Sequence, residues 1–136
     1  MYPEYLVAPM RTDLTSAGFE DLKNAEDVTK AIESEGTTFV VVNSVCGCAA
    51  ANARPAAKIA AANSKKPTKL ITVFAGMEKD AVDAARNHML PYPPSSPSMA
   101  LFKDGKLVHI IERHQIEGRP AQMIADNLIG AFEQYC

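Results

Sequence analysis

Two cysteines separated by one glycine, Cys46-Gly47-Cys48, stand directly after the β-branched run "FVVVNSV" and directly before an alanine-rich stretch. A pair this close has three uses: as small buried hydrophobes, as two soft ligands of a zinc or copper ion, or as a dithiol that makes and breaks a disulfide. Where a buried strand hands over to a helix, the first sulfur meets free backbone N–H groups and the positive end of the helix dipole, both of which favour thiolate over thiol. Cys46 is therefore the expected nucleophile. Cys48, in the first helical turn, is close enough to attack a mixed disulfide formed on Cys46, and is the expected resolving residue. Gly47 between them supplies the backbone freedom that so small a disulfide ring needs. The metal reading is the rival: His109, His114 or Cys136 would have to complete the ligand set, since no second close cysteine pair exists.

This chemistry requires a strand before the cysteines and a helix after them, and the pattern supplies both. Residues from Thr37, "TTFVVVNSV", are apolar and β-branched through the middle, as in a central strand covered on both faces. "AAANARPAAKIAAANS" is strongly helix-forming, and Pro55 is expected to kink that helix without ending it. Upstream, "AEDVTKAIES" reads as a helix capped by Asn24 and followed by Gly36, with Val28, Ala31 and Ile32 inward. "MRTDLTSAGF" reads as a shorter helix stopped by Gly18. "TKLITVFAG" and "MEKDAVDAARNHML" give a second strand and helix, an order that favours a parallel pair with a right-handed crossover. Residues 98 to 103 and 106 to 111 pair across Asp104-Gly105 as a hairpin, and a last helix starts at Pro120 with Ile124, Leu128, Ile129 and Phe132 in one stripe. The sequence thus predicts β, α, β, α, β, β, α after a helical lead, in one domain spanning 1–136.

Composition limits the setting. The chain has 14 basic and 16 acidic residues mixed along its length, so no basic field stands out for nucleic acid or a membrane surface. No stretch approaches the roughly 18 apolar residues of a membrane span, and "MYPEYLVAPMRTDL" lacks the basic start and apolar run of a signal peptide. The expectation is a soluble cytoplasmic protein with neither nucleic acid nor membrane as partner. Three cysteines, two nearly adjacent, do not form the framework of a secreted, disulfide-stapled domain.

The stretches "VVVNSVCGCAAANARPAA", "ITVFAG", "PSSPSMALFKDGKLVH" and "RHQIEG", with Cys136 and the lead "VAPMRTDLTSAGFEDL", cover nearly the whole chain. Together they resemble the thioredoxin superfamily, and more closely the bacilliredoxin family, in which C-G-C replaces C-x-x-C. The resemblance implies a thioredoxin-like three-layer α/β sandwich: a mixed central sheet, helices on both faces and an N-terminal helical extension. It implies thiol–disulfide exchange on mixed disulfides between bacillithiol and protein cysteines, with disulfide isomerisation as the alternative. Bacillithiol would be a redox co-substrate, no cofactor would be bound, and thiolated or disulfide-bonded cytosolic proteins would be partners. "SSPSMALFKDGK" looks like the thioredoxin segment in which a cis proline precedes an antiparallel strand. That nominates Pro97, with a cis Ser96-Pro97 bond opposite the cysteines and Ser96 as a backbone contact for substrate. Pro55 looks like the kinking proline of the thioredoxin active-site helix. The chain departs from ordinary thioredoxins in carrying Val45 where they carry tryptophan, and in having no carboxylate between Thr37 and Val45. Because bacillithiol carries carboxylates, Arg54 and Arg113 are candidate substrate-binding cations. The remaining polar residues have plainer readings: His109 as a half-exposed strand residue, Arg113 and His114 as a solvated turn, Cys136 as a flexible terminal thiol.

Overall fold

Every residue of β2 (Thr37–Asn43) is buried, as an unbroken β-branched run requires of a strand with helices on both sides. The computed structural model describes residues 1–136 and places β2 third in a five-stranded sheet. The strand order is β1 (Glu20–Asp21), β3 (Lys69–Phe74), β2, β4 (Ser98–Lys103) and β5 (Lys106–Ile111). β1, β3 and β2 run parallel, β4 lies antiparallel to β2, and β5 antiparallel to β4. This is the three-layer α/β sandwich with a mixed sheet that the sequence implies.

The two-residue period of β2 divides the core. Phe39 and Val41 enter a cluster with α3 (Arg54–Ala61) and α6 (Ala121–Tyr135), whereas Val40 and Val42 enter one with α2 (Ala25–Glu33) and α4 (Lys79–His88). Phe39 is wholly buried and meets the Phe132 ring edge-on, with centroids 5.2 Å apart; truncating such a residue to alanine costs about 3–5 kcal/mol. Asn24 caps α2 by accepting the Asp27 N–H at 2.8 Å. In the hairpin, Asp104 and Gly105 both take positive φ, 51° and 83°, as the tight two-residue turn demands.

Three local features differ from the sequence reading, and at Pro55 the helix continues as expected but in an unforeseen form. The leading helix, α1 (Glu4–Thr15), starts well before Met10 and runs through Pro9. The bond Pro9 cannot make would go to the carbonyl of Tyr5, a residue 82% exposed, so the loss falls on the solvent side of the helix. β1 has only the polar pair Glu20–Asp21 and no strand pattern; it forms because it pairs with Ile71 and Thr72 at the sheet edge. Pro55 is absorbed by a π-helical turn, Ala49–Ala53, in which the Arg54 N–H reaches Ala49 O; the missing Pro55 N–H widens the helix and the path continues. Arg113 and His114 do not lie in an open turn. They begin α5 (Arg113–Ile116), a single helical turn with a capping box between Glu112 and Gln115.

α1 is fastened to the sheet by Arg11, which is buried. Its guanidinium donates to Asp21 at 2.9 Å, to Glu78 at 2.9 and 2.8 Å, and to Glu4 at 3.1 and 3.3 Å, and lies over the Phe74 ring at 5.2 Å.

Candidate active site

β2 ends at Asn43, and three residues later the chain enters the helical path that becomes α3. Cys46 sits at that entrance, its carbonyl accepting the N–H groups of Ala49 and Ala50 at 3.1 and 3.2 Å. The Cys46 and Cys48 sulfurs are 2.8 Å apart, both cysteines are free, and both are half-buried. Burial pushes the Cys46 thiol up, but the Cys48 thiol, the Ser44 hydroxyl and the Ala49 N–H hydrogen-bond its sulfur and Arg113 adds positive charge; the net result lies below the ordinary thiol range. Cys48 moves the opposite way. Burial raises it, its hydrogen bond to the Cys46 thiolate and the charge there raise it further, Arg113 offsets this only in part, and Glu117 adds to the rise. The opposite shifts favour the thiolate form on Cys46 and the thiol form on Cys48, 2.8 Å away as its hydrogen-bond partner.

Gly47 leaves this pair open: a Cβ there would meet nothing within 4 Å, and its φ is not positive. Its use here is clearance beside the sulfurs, since the backbone freedom expected of it is not drawn on in the dithiol form. The Ser96-Pro97 bond is cis, as is Leu90-Pro91. Arg113 connects this loop to the cysteines. Its backbone N–H donates to Ser95 Oγ at 3.3 Å and its Nη1 to Ser96 O at 3.0 Å, while its charge acts on both sulfurs.

Arg54 departs from the expectation of a substrate-facing cation. It is 5% exposed, and its Nη1 donates to Asn43 Oδ1 at 2.9 Å and Ser44 O at 2.8 Å, with Asp13 Oδ2 3.3 Å from Nε. A guanidinium so engaged and desolvated stays inside. The sequence reading also missed Asn43 and Ser44, although a polar pair closing an otherwise apolar buried strand signals buried hydrogen bonding. Asn43 Oδ1 accepts the Ser44 N–H at 2.8 Å and its amide donates to Met10 O at 3.1 Å, so α1, β2 and α3 jointly hold the turn that aims Ser44 at Cys46. Ser44 Oγ in turn accepts the Cys46 N–H at 3.2 Å.

His109 and Cys136 have their own surroundings. His109 Nε2 is 2.7 Å from Asn127 Oδ1, and no three His, Cys, Asp or Glu side chains converge as a metal-holding group. Cys136 follows α6, whose Glu133 meets Asn63 and Lys65 just beyond the C-terminal end of α3. The helical path 47–61 puts that end about 22 Å from its start, at 1.5 Å per residue.

Over residues 2–136 the chain matches the disulphide isomerase family. It is 54% identical over 134 residues to the bacilliredoxin of Cytophaga hutchinsonii, covering 98% of this chain and 99% of that one. The chain belongs to the bacilliredoxin family. A bacilliredoxin of Staphylococcus aureus is 48% identical over 136 residues, covering 100% of this chain and 94% of its own. Among solved structures, a thioredoxin from Halobacterium salinarum superposes with a TM-score of 0.61 at 12% identity, covering 88% of this chain and 91% of that one. Mitochondrial thioredoxin 3 of Saccharomyces cerevisiae gives 0.57 at 16%, covering 90% and 98%. At these identities the likeness carries the fold alone, which is the thioredoxin fold. A bacilliredoxin-family chain on this fold is a thiol–disulfide oxidoreductase. None of its helices is long and apolar enough to cross a membrane.

Proposed function

We propose that this protein reduces mixed disulfides between protein cysteines and a low-molecular-weight thiol, bacillithiol, with Cys46 as nucleophile and Cys48 as resolving thiol, in the cytosol. The observation that carries the proposal is the sulfur pair at 2.8 Å whose pKa values move in opposite directions. The Cys46 thiolate attacks one sulfur of the mixed disulfide; the new bond joins Cys46 to the small thiol, and the electron pair of the broken bond leaves on the protein cysteine. Bond formation consumes the negative charge on Cys46, and with it part of what keeps Cys48 protonated. Cys48 then loses its proton, attacks the Cys46 sulfur and expels the small thiol as thiolate. The target disulfide gains two electrons and the C-G-C pair, now a disulfide, has lost them. Arg113, half-buried beside the sulfurs, is the cation available to a carboxylate of bacillithiol near the reacting atoms, and the Ser96-Pro97 loop is the backbone against which the target chain lies.

The family's description favours a second reading, disulfide isomerisation, in which another cysteine of the target, not Cys48, resolves the mixed disulfide. A bacillithiolated protein and a scrambled-disulfide protein separate the two. De-bacillithiolation is expected from the wild type and abolished in Cys46→Ser. Isomerisation that survives Cys48→Ser would establish the second reading, and a Cys46→Ser variant as active as the wild type on both substrates would refute both.

A further inference from the structure

Behind the Ser96-Pro97 loop, on the face of the sheet covered by α4, lies a cavity of about 310 Å³, within the roughly 300–1,000 Å³ typical of small-molecule sites. Its wall carries a buried donor with no acceptor to receive it. Arg86 Nε is buried there without a hydrogen-bond partner; Arg54 Nε also lacks a hydrogen bond but has the Asp13 carboxylate at 3.3 Å, and Arg11 is surrounded by carboxylates. The carboxylate in the same wall, Asp83, is held by Lys79 at 2.6 Å. Ser98 lines the cavity at 3% exposure and brings a hydroxyl to it, and Asn87 and Tyr92 add an amide and a phenol. Buried donors are normally paired, and a guanidinium whose Nε lacks a partner fits a planar group with two oxygens.

We propose that this cavity binds a carboxylate-bearing small molecule, with Arg86 as its charged partner and Ser98 as a second donor. A single arginine with apolar neighbours such as Met89 and Leu90 suits a carboxylate on a carbon stem better than a phosphate dianion, which needs more compensating charge. The site is built into the back of the catalytic loop. Ser95, in its wall, accepts the Arg113 N–H, and Arg113 also holds Ser96 O and faces the sulfurs. The carboxylate comes either from the far end of the anionic thiol under exchange, which rests on the function proposed above, or from a separate small acid that does not.

Succinate titrated calorimetrically into the reduced protein, alongside exchange rates with an anionic bacillithiol disulfide and a neutral hydroxyethyl disulfide, tests the proposal. Wild type is expected to bind succinate, and Arg86→Gln to bind it roughly tenfold to hundredfold more weakly, the worth of a hydrogen bond to a charged group; Arg86→Lys should retain part of the affinity. If the thiol substrate supplies the carboxylate, Arg86→Gln also slows the anionic disulfide by a similar factor and spares the neutral one. If a separate acid does, both rates hold and only succinate binding falls. Ser98→Ala, the milder change, should weaken binding in the same direction should Arg86→Gln fail to fold. Succinate affinity unchanged by these substitutions, or no succinate binding together with no selective loss on the anionic disulfide, overturns the site. Inactivity of the wild type on both disulfides would instead refute the exchange function, with the calorimetry still deciding the cavity.

Discussion

Cys46 and Cys48 carry the same functional group, and their difference comes from what surrounds each sulfur. Cys46 receives hydrogen bonds from Cys48, Ser44 and Ala49; Cys48 gives one and faces Glu117. Since only the thiolate reacts, alkylation of each cysteine rises with pH through its own pKa. Peptide-resolved iodoacetamide labelling across pH should place the Cys46 midpoint below the ordinary thiol value of about 8.5 and the Cys48 midpoint above it. Arg113→Ala withdraws positive charge and Ser44→Ala withdraws a donor, so each should shift the Cys46 midpoint upward and lower its labelling rate at neutral pH severalfold. Midpoints that stay in place in both variants would show that neither group stabilises the thiolate.

At the scale of elements, the site depends on α1 being held to the sheet, because α1 supplies Met10 O to Asn43 and Asp13 to Arg54. The strongest tie is Arg11. Replacing it with methionine leaves Asp21 buried without its counter-charge, and Asp21 Oδ1 already lacks a partner; burial outweighs Arg11 even now and keeps this carboxyl above the usual range. Breaking one side of a buried pair costs about 3–5 kcal/mol, so urea denaturation of Arg11→Met should show a loss of that size, whereas Lys79→Ala, which breaks an exposed pair, should leave the midpoint unchanged. An Arg11→Met variant as stable as the wild type would mean that α1 is held by packing alone. Elements whose signal is local were legible in the sequence: the apolar run of β2, the Asn24 cap and the Asp104-Gly105 turn. The sulfur pair was legible for the same reason, since strand, cysteines and helix are contiguous. What sequence could not give depends on distant partners. Glu20–Asp21 is a strand only because β3 lies beside it, and Arg54 looks like a surface cation until folding brings Asn43, Ser44 and Asp13 around it.

Across the whole molecule, the C-terminal edge of the parallel strands gathers the reactive groups: Asn43 closes β2, the cysteines follow it, and the Ser96-Pro97 loop arrives where β4 begins, Ser98 opposite Val42. Cys136 belongs to the far end of the α3–α6 layer. A disulfide needs Cα atoms within about 7 Å, and the length of the helix separates Cys136 from Cys46 and Cys48. Mild oxidation at low protein concentration should therefore yield a Cys46–Cys48 disulfide at the same rate in wild type and Cys136→Ser, with no intramolecular bridge to Cys136. A mapped Cys46–Cys136 or Cys48–Cys136 bond within one chain would contradict this layout.

The division of roles between the two cysteines is tested most directly by intact and peptide mass spectrometry of Cys48→Ser and Cys46→Ser after incubation with a bacillithiolated protein. Cys48→Ser should accumulate one bacillithiol adduct, on Cys46, and hold it, while Cys46→Ser should take up none. An adduct on Cys48 in Cys46→Ser, with Cys46 left unmodified in Cys48→Ser, would contradict the account and reverse the assignment of nucleophile and resolving thiol.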